Sequence, residues 1–72
     1  MKRNSYIVII ENAGPNFSAY SPEVPGCIAT GATVDETEAN FREALALLFE
    51  VWRETGVPIP IPSAAVRLVK AA

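Results

Sequence analysis

The chain opens on an apolar run, Tyr6-Ile7-Val8-Ile9-Ile10. Its β-branched and aromatic side chains predict a strand. The run does not alternate, so both faces of that strand want cover. Residues 11–16 are polar around a Gly14-Pro15 pair, a turn composition. Residues 17–20 predict a second strand, hairpin-linked to the first. Residues 21–26 carry Pro22 and Pro25, which cannot donate to a ladder, and read as another turn. Residues 27–30 predict a third strand, closed by Gly31. Residues 1–5 are polar and expected to fray.

The hydrophobic period then changes. Phe41, Ala44, Leu45, Leu48 and Trp52 follow at spacings of three and four, an amphipathic helix. Thr33 and Glu36 stand as a capping box before it: Thr33 can accept from the Glu36 N–H, and Glu36 can reach back to the Thr33 N–H. Asp35, Glu36 and Glu38 put negative charge on the positive end of the helix dipole. Gly56 suits the left-handed position that ends a helix. The predicted helix covers residues 34–55. Residues 57–62 alternate apolar side chains with proline, a stiff extended spacer of about 19 Å. Residues 63–70 predict a last strand with Val66 and Leu68 on one face. Ala64 and Ala65 make a short helix the competing reading.

These elements predict one α+β domain over residues 1–72. It would be a β-β-β-α-β two-layer unit: an antiparallel three-stranded meander, a helix on one face and a last strand. The first strand and the outward apolar residues Leu47, Phe49 and Val51 ask for further cover. They predict a homo-oligomer, with those three residues as the candidate surface for a partner or a second copy.

Composition narrows the function. At 72 residues the chain has one thin core. Six Lys and Arg against eight Asp and Glu give a net charge of −2. That disfavours direct nucleic-acid binding by phosphate neutralisation. There is no histidine, the commonest metal ligand and neutral-pH proton shuttle. A single cysteine excludes an internal disulfide and a cysteine-based zinc site. The apolar run after Lys2 and Arg3 is too short for a signal or a membrane helix, so a cytoplasmic, membrane-free protein is expected.

Candidate chemistry is sparse. Glu36, Glu43, Glu50 and Glu54 share a polar helix face, whereas a two-metal nuclease needs carboxylates converging from several elements. Only Glu11 comes from a strand end. Cys27 has no histidine to activate it and reads as a small buried residue. The aromatic residues lack the surrounding positive charge of a base-stacking platform. Gly14, Gly26 and Gly31 match no phosphate-loop spacing. No catalytic residue, metal or cofactor is expected, and the profile suits a protein that binds another protein.

One pattern is more specific. Residues 21–27, Ser-Pro-Glu-Val-Pro-Gly-Cys, are followed by Gly31-Ala32-Thr33, then Glu36, Ala39, Asn40, Glu43, Ala44 and Leu48. The run resembles the HicB-like antitoxins, which carry a proline-rich turn ending in Pro-Gly-Cys, a Gly-x-Thr step and an acidic helix start. The opening strand and Gly56-Val57-Pro58-Ile59-Pro60 also fit, so the resemblance covers residues 5–62. It marks Pro22, Pro25, Gly26, Cys27, Gly31, Thr33, Glu36, Glu43 and Ala44 as motif positions that set the fold. It implies a partial ribonuclease-H-like domain without that enzyme's active site. It also implies sequestration of a small, basic, RNA-cleaving HicA-type toxin. Many such antitoxins add a C-terminal DNA-binding domain. None follows within these 72 residues, so operon repression by this chain alone is not expected. The alternative is an orphan oligomeric scaffold of the same fold with no toxin.

Overall fold

A computed structural model of the protein describes residues 5–71. The expected fraying of residues 1–4 lies outside the described residues. Three antiparallel strands, β1 (Ile9–Asn12), β2 (Phe17–Ser21) and β3 (Val24–Gly31), form a sheet in the order β1-β2-β3. A single helix, α1 (Val34–Thr55), packs across one face. The α+β architecture and the meander agree with the sequence pattern.

The strand boundaries shift for local reasons. β1 pairs from Ile9 opposite Tyr20 to Asn12 opposite Phe17. The hairpin closes when the Ala13 N–H donates to the Asn16 carbonyl at 2.8 Å, and Gly14 takes φ +93°. Residues 6–8 precede the ladder. Their amide at Ile7 donates instead to a Glu23 carboxylate oxygen at 2.8 Å. The ladder between β2 and β3 runs from Phe17–Gly31 to Tyr20–Ile28, then jumps to Ser21–Val24. The strand therefore begins earlier than expected. Pro25, Gly26 and Cys27 bulge out of the pairing, with Gly26 at φ +82°, so the proline's missing donor costs no ladder bond.

The helix ends where its caps place it. The Thr33 hydroxyl accepts from the Glu36 N–H at 3.0 Å. The Glu36 carboxylate reaches back one residue further than a standard capping box, to the Ala32 N–H at 3.1 Å. Gly56 ends the helix at φ +78°, its N–H bonded to the Trp52 carbonyl. Buried Ala19, Val24, Cys27, Phe41 and Phe49 form the core between sheet and helix. Tyr6 meets Phe49 edge-on at 5.2 Å between ring centroids, and Phe49 meets Trp52 at 5.7 Å. Such pairs add roughly 0.5–1.5 kcal/mol beyond their burial.

After Gly56 the chain runs back across the open side of residues 6–8. Ile59 packs on the core, and the Tyr6 hydroxyl donates to the Pro60 carbonyl. The proline segment thus supplies part of the cover that the first apolar run needs. The last strand expected over residues 63–70 is not formed, and neither is the competing helix. The Ser63 and Ala64 amides are taken by Glu23, at 2.9 and 2.8 Å, so they cannot open a ladder. Beyond them the chain pairs with no strand among the described residues, and Val66, Leu68 and Val69 are exposed.

Candidate partner-binding surface

The motif positions fall in a turn (Pro22), a bulge (Pro25, Gly26), the core (Cys27), a close approach (Gly31), the helix cap (Thr33, Glu36) and the helix itself (Glu43, Ala44). Pro22 sits in the β2–β3 turn, where the Ser21 hydroxyl accepts from the Glu23 N–H at 3.1 Å. Gly31 lies where β3 meets the first turn of α1. A Cβ there would stand 2.7 Å from both the backbone nitrogen and the hydroxyl of Thr37. Thr37 is fully buried, and its hydroxyl donates to the Thr33 carbonyl at 2.6 Å. Asn40 ties the same junction by donating from its side-chain amide to the Thr30 carbonyl at 2.8 Å.

Glu23 is the residue that sequence reasoning passed over. One carboxylate oxygen accepts from Ile7 and the other from Ser63 and Ala64, segments 16 to 41 residues away. It joins both ends of the chain to the β2–β3 turn. The available signal was an acid held between two prolines in a turn, away from any helix start it could cap.

Of the three residues expected to face outward, the structure keeps two on the surface. Leu47 and Val51 are 63 % and 51 % exposed. Phe49 is buried. At 100° per residue it falls about 80° from Phe41 and so on the core side of the helix. Leu47 and Val51 line a groove of about 330 Å³ with Ala44 and Leu48 of the helix and residues 26–28 of β3. Exposed Ile28 extends its apolar wall. Glu43 precedes Leu47 by four residues, Glu50 follows it by three, and Glu54 follows Val51 by three, so helical spacing sets these three exposed carboxylates beside the apolar side chains, outside the groove's own lining. A second cavity of about 380 Å³ lies on the opposite flank. Tyr6, Val8, Phe41 and Leu45 line it, and the Glu38–Arg42 ion pair at 2.9 Å stands on its rim.

The charge is segregated. All eight acids fall within residues 11–54, against two arginines there, a net −6. The other four cations, Lys2, Arg3, Arg67 and Lys70, lie near the chain ends. Among the described residues no three acids or cysteines converge on a cation-sized site, and no helix is long and apolar enough to cross a membrane. Burial raises the Cys27 thiol above its ordinary pKa, which lowers its thiolate fraction, the reverse of what a nucleophile needs.

A family model described as the HicB_like antitoxin of bacterial toxin-antitoxin system matches residues 6–72. No curated protein and no solved structure matches the chain.

Proposed function

Because this chain belongs to the HicB-like antitoxin family of bacterial toxin–antitoxin systems, we propose that it neutralises a small, basic, RNA-cleaving toxin of the HicA type by binding it as a protein partner. The observation that carries this reading is the extent of the family match, from the first apolar run through the C-terminal segment. The chemistry supports it. A body of net −6 over residues 11–54 attracts a cationic RNA-binding protein and speeds its encounter. The surface we assign to the contact is the groove of Leu47 and Val51 with its glutamate rim. A groove with an apolar floor and a charged rim has the anatomy of a protein interface. The chain acts here as a binding module and not as an enzyme, in the cytoplasm, where its toxin's RNA substrate lies. The finer architecture, a partial ribonuclease-H-like domain, belongs to the same proposal.

The test is capture of tagged protein from native cell extract, followed by assay of the captured partner. A stoichiometric small basic protein that cleaves RNA, and stops cleaving when this chain is added, bears the reading out. If only the protein itself is recovered, the chain is an orphan scaffold. The exposed apolar side chains of residues 66–69 favour that second reading by pointing to self-assembly.

A further inference from the structure

The C-terminal segment is chemically out of place in the structure. Residues 66–70, Val-Arg-Leu-Val-Lys, mix three apolar side chains with two cations. Leu68 is 98 % exposed and Val69 88 %. Among the described residues the segment finds no seat on its own chain: Glu23 pins it at Ser63 and Ala64, and residues 65–71 are exposed. Elsewhere the same molecule has an apolar groove without a cover and with an acidic rim. We infer that residues 66–70 of one copy seat in the groove between β3 and α1 of a second copy, with Val66 and Leu68, on one face of the extended segment, against Leu47, Val51 and Ile28, and the long side chains of Arg67 and Lys70 reaching Glu43, Glu50 and Glu54.

Three features favour this occupant. The first is charge complementarity: a +2 segment meets a rim of three glutamates. The second is length. Residues 66–70 extend over about 13 Å, and the helix from Glu43 to Glu54 rises about 16 Å. The third is the failure of the simplest alternative. Two copies packed groove to groove would set their glutamate rims against each other, whereas reciprocal exchange of tails pairs opposite charges in both seats. Exchange also closes a two-fold dimer with no groove left over. This inference concerns the free protein and does not depend on a toxin; a toxin that takes the same groove displaces the exchanged tail.

The experiment is sedimentation equilibrium on the full chain and three variants, with folding followed by circular dichroism. The wild type is expected to be a dimer. Leu68→Ser alters a side chain that is 98 % exposed in the monomer and is expected to weaken the dimer about tenfold. A tail-reversed variant, Arg67→Glu with Lys70→Glu, and a rim-reversed variant, Glu43→Lys with Glu50→Lys, change only exposed positions. Each alone is expected to weaken self-association at least as much. Mixed, the two should form a heterodimer, since each tail then meets a rim of opposite sign. A monomeric wild type overturns the inference, because the tail then folds back on its own chain or stays free. It is equally overturned if either variant dimerises as tightly as wild type, or if the mixture stays monomeric.

Discussion

Removing the Glu23 carboxylate should loosen both ends of the protein at once. Glu23→Ala deletes three charge-assisted hydrogen bonds, from the amides of Ile7, Ser63 and Ala64. A hydrogen bond to a charged group contributes about 1.5–3 kcal/mol when shielded from water. Only the Ile7 bond is partly buried; those to Ser63 and Ala64 are exposed, where water replaces the lost partner. The exposed pair is therefore discounted to a few tenths of a kcal/mol each, and the loss totals about 2 kcal/mol. For a chain of this size that lowers Tm by about 10 °C. Glu23→Gln keeps the shape and one acceptor oxygen, so about half the loss is expected. The assay is thermal unfolding by circular dichroism, combined with amide hydrogen exchange. Exchange should accelerate at Ile7, Ser63 and Ala64 while the helix interior keeps its protection relative to global unfolding. Unchanged exchange at Ser63 and Ala64 would refute the idea that this carboxylate holds the C-terminal segment.

Other expectations are simpler. Gly31→Ala drives a methyl group against the Thr37 backbone and should cost about 1–3 kcal/mol by urea unfolding. Thr33→Ala removes the acceptor for the Glu36 N–H and should cost about 1 kcal/mol, with helical signal lost from the first turn. Phe49→Ala should cost about 3–5 kcal/mol, whereas Leu47→Ala should leave monomer stability within about 0.5 kcal/mol, because only Phe49 is buried. Cys27 sets a pH dependence. Its folded-state pKa is raised, so the thiol releases its proton more readily when unfolded. Stability should hold below the unfolded value of about 8.5 and fall as pH rises through the folded value. Cys27→Ala should flatten that alkaline slope, measured by urea unfolding across pH 7.5–10.

What the sequence disclosed divides along chain distance. The helix boundaries were legible to the residue because their determinants, Thr33, Glu36 and Gly56, act within one turn of the ends. The β1–β2 hairpin was legible in outline for the same reason, since residues 13–16 carry their own turn chemistry. The missing last strand was not legible. Its alternating pattern is real, but Glu23 captures its first two amides from 40 residues away. Phe49 was misplaced on the surface because the apolar stripe of the helix is broad. Tyr6, far away in sequence, and Trp52, one turn on along the helix, hold Phe49 inward through their rings. The groove was not legible, since it needs β3 and α1 brought together.

We propose above that this chain silences a ribonuclease by binding it. The most direct measurement is the rate of RNA cleavage by the small basic protein that it captures, as purified chain is titrated in. The account predicts that cleavage falls to background near equimolar chain, and that Glu43→Lys with Glu50→Lys shifts the titration to higher concentration. Cleavage that persists at tenfold excess would contradict it.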